Sequence, residues 1–399
     1  MTDKKIVFIA SHYYPETGAP AKRIFDATKY LSDNGWKVTV FTLAPHYPEN
    51  KIHKGYDRGL YDKRIENGFE VIRVRPWMVP KTSFILRMLS ETLFAFQAAI
   101  FIFLKRKSLI YSTSPYMFLG PIPLIAAKIK GSKFVWEVRD LTWEYAKTTS
   151  KKTYGLVSLI EKIMKWTAST SDGLVTATEG ILKYFKNKPN LKEVIYNGVA
   201  TENVNLFKIA NAPIFKKERP MALYAGIVGY AQNLITFLET ARINRNYDFF
   251  IVGDGPEKSY LEEYALTHNI NNIFFEGYMP QADLLQMYKK ADVLVAMLKD
   301  DPTYAVAQPS KLWEYMCTGK PVIYSGNGEA HQIISKNQCG IAIKASDPTE
   351  LSEALNHLKN NVEFAEQLGK KGFDFVLENR MREKSLYKLN QLLESYLKK

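Results

Sequence analysis

A serine, a lysine and a glutamate stand close together in the run Gln308-Pro309-Ser310-Lys311-Leu312-Trp313-Glu314-Tyr315-Met316-Cys317-Thr318-Gly319-Lys320-Pro321. Proline followed by serine reads as a helix start. Ser310 and Lys311 then stand at a helix N-terminus, where a hydroxyl, an ammonium and unpaired N–H groups can meet phosphate oxygens. Glu314 falls on the same helical face as Lys311, and a carboxylate there can accept two hydroxyl hydrogen bonds from a ribose. Phosphate beside a diol is the chemistry of a nucleotide. A glutamate capping a surface helix would use the same residue types, so the neighbouring turns have to decide.

Three turns bear on it. Tyr224-Ala225-Gly226-Ile227-Val228-Gly229-Tyr230-Ala231-Gln232-Asn233 leaves a strand-like run and enters a helical one, and Ile251-Val252-Gly253-Asp254-Gly255-Pro256 does the same. In the first half, Ser11-His12-Tyr13-Tyr14-Pro15-Glu16-Thr17-Gly18-Ala19-Pro20-Ala21 leads into a helix opening near Lys22-Arg23. Glycines before a helix let backbone amides approach an anion closely. The first-half loop is not a G-x-G-x-x-G fingerprint, which argues against a dehydrogenase. Acid–base candidates in the first half are His12, Glu16, Asp140 and Glu144. Asp300-Asp301 precedes Pro302 as a turn would, and Cys317 and Cys339 have no metal-ligand spacing, so no metal site is expected.

These turns need a scaffold that presents strand ends. Short apolar runs alternate with helical patterns, the mark of an α/β protein with parallel sheets. Strands are expected at Ile6–Ala10, Lys37–Thr42, Phe69–Val74, Leu109–Ser112, Lys133–Val138, Gly173–Thr176 and Glu193–Tyr196. The alternation restarts at Met221–Ala225, Asp248–Val252, Ile273–Phe275, Val293–Ala296, Pro321–Tyr324 and Gly340–Ile343. This predicts two doubly wound, Rossmann-like domains, residues 1–200 and 201–379, with a linker around 198–219. Ligands in such sheets bind beyond the carboxyl ends of the strands, so a cleft between the domains is the expected site.

Charge is uneven. Residues 1–200 hold 31 Lys/Arg against 17 Asp/Glu, and residues 201–399 hold 23 against 24, within a total net charge of +13. A basic first domain fits a phosphorylated substrate or an anionic lipid surface; aromatic–basic interleaving of the RNA-binding kind is lacking, so nucleic acid is not expected. The N-terminus has no signal-peptide pattern and the chain reads as cytoplasmic. Residues 83–107 contain the uncharged run Thr92–Leu104, 13 residues, before Lys105-Arg106-Lys107. That run is too short to span a bilayer, and suits either a core helix or one lying in the membrane interface. Lys151–Trp166 offers a second amphipathic candidate, with Leu156, Leu159, Ile160, Ile163 and Trp166 on one stripe and Lys151, Lys152, Lys162 and Lys165 mostly opposite.

The chain resembles family 4 of the retaining glycosyltransferases, which have the GT-B fold, and within it the bacterial surface-polysaccharide enzymes of the amino-deoxysugar (fucosamine) type. The resemblance is carried by the His12–Gly18 loop, Asn34-Gly35-Trp36-Lys37-Val38-Thr39-Val40, Val138-Arg139-Asp140-Leu141 and Val194-Ile195-Tyr196-Asn197-Gly198-Val199. It continues through Tyr224-Ala225-Gly226, Gly253-Asp254-Gly255-Pro256, Phe275-Glu276-Gly277-Tyr278-Met279 and Pro309-Ser310-Lys311 to Gly319-Lys320-Pro321-Val322. It implies that Glu314 binds the ribose and Gly277–Met279 (Tyr278 and Met279 among them) holds the base. Gly18 and Gly229 would lie against the diphosphate, with Gln232, Asn233, Gly253, Asp254 and Ser310 on the donor side.

Arg139 stands where many relatives carry a histidine beside the reacting sugar, and Arg139, Asp140 and Lys311 are the catalytic candidates; His12, Glu16 and Arg23 are those for the acceptor. Two departures stand out. Val306 occupies the place, eight residues before Glu314, of the family's other paired glutamate, and Gln232 and Asn233 replace a usual Arg and Lys, leaving Lys311 to supply the phosphate charge. The resemblance further implies a helix at 380–399 crossing back to the first domain, a nucleotide-diphosphate sugar donor (UDP in first place), no metal or other cofactor, and retention of configuration. The implied acceptor is a polyprenyl-diphosphate-linked saccharide at the inner face of the cell membrane. An epimerase of the same double-Rossmann plan and a non-catalytic nucleotide-sugar-binding protein are the alternative readings.

Overall fold

The structure, a computed structural model, describes residues 4–16, 18–47, 49–57, 59–80, 84–144, 154–208 and 212–397, without the side chains of Ala19, Phe84, Tyr154 and Leu156. Thr17, Lys151 and Lys152, singled out above, lie outside the described residues, as does the Leu156 side chain.

The chain forms two compact units. One takes in the residues up to Tyr196 and those from Leu386 onward, and the other runs from Asn197 to Ser385. The strands of the first are β1 (Lys5–Ala10), β2 (Lys37–Leu43), β3 (Tyr61–Glu66), β4 (Phe69–Val74), β5 (Leu109–Thr113), β6 (Phe134–Val138), β7 (Gly173–Thr176) and β8 (Leu191–Val194). They lie in the order β3-β4-β2-β1-β5-β6-β7-β8, parallel throughout except for β3 against β4. The second unit has β9 (Met221–Ala225), β10 (Asp248–Val252), β11 (Ile273–Gly277), β12 (Val293–Met297), β13 (Val322–Ser325) and β14 (Ile341–Ile343), all parallel, in the order β11-β10-β9-β12-β13-β14. Each sheet is wound outward from its first strand in both directions. The crevice at a carboxyl edge therefore opens between β1 and β5 in one unit and between β9 and β12 in the other.

Central strands are buried on both faces, as parallel sheets require: β6, β7, β9 and β12 have no exposed residue. Strand β3 was not expected, because Tyr-Asp-Lys-Arg-Ile-Glu lacks an apolar run. Its signal is the Asn67-Gly68 turn, where both residues have positive φ, 52° and 86°, as a two-residue type I′ hairpin demands. Strand β8 forms two residues earlier than expected.

The expected linker is corrected as well. Residues Thr201–Lys208 form a helix whose Val204 and Phe207 are buried in the second unit's core. The Val199 amide donates to Arg380 O at 2.8 Å, and the Arg382 amide donates to Val199 O at 2.9 Å. These bonds attach the chain from Asn197 on, and its return as far as Ser385, to the second unit. The boundaries accordingly fall at 196/197 and 385/386, not 200/201 and 379/380. The last helix, Arg382–Ser395, belongs from Leu386 to the first unit, where Leu389, Leu392 and Leu393 join the core around Trp36 and Val38. Trp36 Nε1 donates to Asn390 Oδ1 at 2.7 Å, and Lys4 pairs with Glu394 at 2.7 Å. Each buried leucine contributes about 1.5–3 kcal/mol, so this helix is an integral layer of the first unit. On the helix Tyr154–Thr170 the buried line is Val157, Ile160, Met164 and Ala168, while Leu159 and Trp166 face solvent. The expected stripe was rotated because it gave no weight to Met164 and the small Ala168.

Candidate functional site

At the carboxyl edge of the second sheet, β9 ends in the Gly226–Gly229 turn and β10 in Gly253–Gly255. The two turns pack backbone on backbone: the Gly226 amide donates to Val252 O at 2.8 Å, and that of Val228 to Asp254 O at 2.9 Å. A Cβ on Gly253 (φ 138°) would lie 1.9 Å from Gly226 O, and one on Gly255 would lie 2.1 Å from Val228 O. Gly253 and Gly255 are thus demanded by internal packing, and the amides of Gly226 and Val228 are already engaged. Gly229 comes next at the tip, with Gln232 closing the turn by donating its amide to Gly229 O at 3.0 Å. Asn233, at φ 50°, holds the following helix through Thr236 Oγ1 and Ser346 Oγ.

The helix Ser310–Met316 is fixed to the same edge from below. Tyr315 Oη donates to Ala225 O at 2.6 Å and accepts from the Ala225 amide at 2.8 Å. This puts Lys311, one turn earlier on that face, against Gly226: its Nζ donates to Tyr224 Oη, and a Cβ on Gly226 would meet that ammonium at 2.3 Å. Gly226 therefore makes room for Lys311. Burial pulls the Lys311 pKa down to about 8, opposed by Glu314. Glu314 is half-buried and Ser310 exposed. Tyr278 is 81% exposed just past β11, while Met279 packs on the core below. Asp254 is exposed and turns back to accept from the Gly255 amide at 2.7 Å. Asp301 caps its own turn, accepting from Thr303 N and Oγ1 at 2.9 and 2.7 Å.

At the first sheet's carboxyl edge, Glu16 is the hub. It is buried, its Oε2 accepts from His12 Nδ1 at 2.6 Å, and its Oε1 accepts from the amides of His46 and Tyr47 at 2.8 and 2.9 Å. Burial alone would raise its pKa, but His12 and those amides more than reverse this and keep it ionised. Gly18 precedes the helix Ala19–Asp33; a Cβ there would meet nothing closer than 3.6 Å. The protein itself does not need glycine at that position.

Further along the edge, Glu137 is fully buried on β6. Arg23 Nη1 donates to its Oε1 at 2.5 Å and Arg139 Nη1 does so at 3.2 Å. Burial would raise the Glu137 pKa; Arg23 and Arg139 override it and hold it at about 2. Arg139 is itself buried, bonded to Ile195 O at 3.4 Å, and its Nη2 lacks a hydrogen-bond partner. Burial and Arg23 draw its pKa down to about 10, so it stays charged at neutral pH. Asp140 is open to solvent on one side; crowding still raises its pKa against the pull of Arg139 and Arg23.

Within each unit the expected residues gather at one sheet edge: His12, Glu16, Gly18, Arg23, Arg139 and Asp140 in the first, and Gly229, Gln232, Asn233, Gly253, Asp254, Tyr278, Met279, Ser310, Lys311 and Glu314 in the second. Glu137 and His46 went unnoticed in the sequence, and Tyr224 and Tyr315 were given no role there. Glu137 had a signal, a carboxylate inside the apolar strand Phe-Val-Trp-Glu-Val, which burial tolerates only when paired. The two glycine environments predict opposite outcomes. Gly253→Ala should cost about 2–4 kcal/mol in urea denaturation through clash and strain. Gly18→Ala should stay within about 0.5 kcal/mol of wild type.

Comparison with known proteins fits this geometry. Sucrose-phosphate synthase from Thermosynechococcus elongatus superposes with a TM-score of 0.75 at 17% identity, covering 99% of both chains. Anabaena HepE, solved in complex with UDP, gives 0.71 at 15% identity over 98% of this chain and all of the other. WaaG, a glycosyltransferase involved in lipopolysaccharide biosynthesis, gives 0.65 at 14% over 97% and 99%. The fold is that of the GT-B glycosyltransferases, two Rossmann-like α/β units with parallel sheets.

The sequence narrows this further, since residues 207–375 match the family of Glycosyl transferases group 1. The match covers 169 of the 399 residues, so it shows a likeness of the second unit to the group 1 glycosyltransferases. An uncharacterized glycosyltransferase of Methanocaldococcus jannaschii is 26% identical over 53% of this chain and 56% of its own length. Another from the same organism is 21% identical over 98% of each. D-rhamnosyltransferase WbpZ of Pseudomonas aeruginosa is 23% identical over 54% of this chain and 57% of its own length. The chain thus spans little more than half the length of the first of these relatives and nearly all of the second.

Proposed function

We propose that this protein transfers a sugar, an N-acetylated amino or deoxy-amino hexose in first place, from a UDP-sugar to a polyprenyl-diphosphate-linked saccharide. The setting would be bacterial surface-polysaccharide (O-antigen or capsule) assembly, at the cytoplasmic face of the membrane. The observation that carries the donor side is Lys311, half-buried against Tyr224 at the β9–β12 crevice with Glu314 one turn on. Transfer builds negative charge on the leaving diphosphate. A pre-placed ammonium that needs no reorganisation is suited to meeting that charge, and Glu314 can hold the ribose hydroxyls. The reading assigns Lys311 the task that a metal ion would otherwise perform, and retention of configuration follows the family resemblance. The UDP and UDP-glucose complexes of HepE support a UDP-linked donor; a rhamnosyltransferase relative and WaaG support surface-polysaccharide work.

Support for the membrane side comes from the helix Phe84–Leu104. Apart from Arg87, Ser90 and Glu91 near its start it is strongly apolar, yet only 22% of the apolar stretch within Ile85–Leu104 is buried. Phe94, Ala95, Ala98 and Ile102 pack inward, and Phe41 stacks on Phe94 and Phe101 at 5.7 and 4.6 Å. With one face held by the sheet and the other apolar and open, the helix would lie in the interface rather than span it.

The donor assignment is checked by thermal shift against UDP, GDP, ADP and CMP. At about 100 times Kd, one diphosphate should stabilise the protein by about 2.7 kcal/mol, and Glu314→Ala should lose most of that gain. No shift with any of the four would overturn the reading.

A further inference from the structure

We infer that the second unit carries a second anion site: a cavity at the amino edge of its sheet that takes a small, soluble organic phosphate bearing two or more negative charges. The site lies at the opposite ends of the strands from the donor crevice and does not rest on the transferase reading.

The cavity has a volume of about 500 Å³, and its wall includes Lys208, Lys216, Lys320, Lys370 and Glu366. Its place follows from the winding of the unit. Helices return from the carboxyl edge before each new strand starts, so helix ends and the loops before strands meet at the amino edge. Lys208 closes the helix Thr201–Lys208, Ile214 and Lys216 precede β9, and Lys320 precedes β13. The remaining side is the helix Val362–Asn379, where Glu366, Lys370 and Phe373 fall on one face. Gly369 lets that helix close on the turn before β13, because a Cβ there would lie 2.1 Å from Gly319 O.

Lysines at such an edge have an ordinary structural use, which is to meet the carbonyls left open at helix C-termini. Lys320 is put to that use. It is buried, and its Nζ donates to Lys289 O at 3.0 Å and to Ala291 O. Burial draws its pKa down to about 8, with Asp292 opposing the fall and Lys217 adding to it. Asp292 is itself committed, accepting from the amides of Phe215 and Met221 at 2.5 and 2.7 Å. Lys216 and Lys370 are different. Among the described residues neither makes a hydrogen bond or an ion pair, and Glu366 pairs with neither. Lys208 rests its ammonium over the Phe373 ring, 5.7 Å from the centroid. Three uncommitted ammonium groups from three separate elements thus border one concave space with a single carboxylate as counter-charge. A cleft lined by one sign of charge concentrates ions of the other.

The shape of the space narrows the ligand. Its volume suits a small molecule, and Pro213, Ile214 and Phe373 give it an apolar side that a bare ion would not use. Lysine binds phosphate as a point charge, and ammonium groups spread around the rim fit charges at more than one place on the ligand. A strand such as β12, of five residues, holds the two edges of the sheet about 16 Å apart. The occupant therefore binds alongside the donor, not in its place.

The test is isothermal titration of glucose 1,6-bisphosphate, inorganic phosphate and phosphatidylglycerol vesicles into wild type, Lys216→Ala with Lys370→Ala, and Lys311→Met. Both substituted cavity lysines are exposed, so the double variant should keep the urea midpoint of wild type. Wild type should bind one bisphosphate, and the double variant should bind it about tenfold or more weakly, having lost two charge-assisted contacts. Added salt should weaken the binding, whereas Lys311→Met and excess UDP should leave it unchanged. No binding by wild type, or binding that survives the double substitution, would overturn the inference. Loss in Lys311→Met or displacement by UDP would do the same, by placing the bisphosphate in the donor crevice. Inorganic phosphate binding as tightly as the bisphosphate would reduce the site to a single-anion contact and contradict the ligand class. Vesicle binding that needs the two lysines, with none of the bisphosphate, would also overturn the inference by making the ligand a lipid head group.

Discussion

Replacing Lys311 with methionine is expected to lower kcat for sugar transfer by about 100- to 1,000-fold, the usual effect of removing one pre-placed electrostatic donor. The size of the effect follows from the position. The half-buried ammonium is held between Tyr224 and the glycine that vacates space for it, so it is already in place before the diphosphate charge develops. Stability should move the other way. A lysine whose folded pKa is about 8 instead of 10.5 opposes folding while it is charged. That cost is fully present below about pH 8 and is relieved as pH rises toward 10.5. Lys311→Met should therefore fold at least as stably as wild type at neutral pH. The same pKa sets a basic limb: kcat/KM in wild type should fall above about pH 8 as the ammonium of the free enzyme deprotonates. In Lys311→Arg the limb should disappear from that range. A methionine variant of wild-type activity would remove Lys311 from the mechanism.

Glu137→Ala should destabilise the protein by about 3–5 kcal/mol, because it leaves two arginines, Arg23 and Arg139, without their shared buried carboxylate. The pH dependence has a definite sign. A carboxyl held at about 2 against an ordinary 4.5 contributes stability that is present above about pH 4.5 and lost as pH falls toward 2. Urea denaturation at pH 7 and at pH 3 reads both effects, and the gap between wild type and variant should narrow at the lower pH. An unchanged midpoint at pH 7 would mean that the two arginines are solvated well enough without it. Activity should suffer too, since Arg139 and Arg23 would lose the group that fixes them at the edge of β6.

Much of the fold was legible because parallel sheets write themselves plainly. Their strands are buried on both faces, so Met221–Ala225 and Val293–Met297 appear as unbroken apolar runs between helical stretches. What escaped obeys other rules. β3 sits at a sheet edge with charges along it, and only the Asn67-Gly68 turn betrays it. The helix Thr201–Lys208 was hidden by turn residues on both sides of a polar stretch with two apolar anchors.

The site divides in a similar way. Lys311 and Glu314 could be read from a helix start, because spacing on a helix is fixed locally. Gly253 could be found but not interpreted: the sequence shows a glycine turn, while contact with Gly226 O shows that packing already requires the glycine. Lys208, Lys320 and Lys370 come from segments far apart in the chain. Only the winding of the second sheet brings them to one cavity, so no local pattern announces them.

The central claim is that the protein moves a sugar from a nucleotide diphosphate to a lipid-borne acceptor. The most direct measurement is mass spectrometry of polyprenyl diphosphate N-acetylglucosamine after incubation with UDP-, GDP- and ADP-linked sugars, with wild type and with Lys311→Met. The predicted result is a gain of one sugar residue on the lipid, matched by released nucleoside diphosphate, with one donor class and only with wild type. Donor consumed without any gain on the lipid, or a gain undiminished in Lys311→Met, would contradict the account.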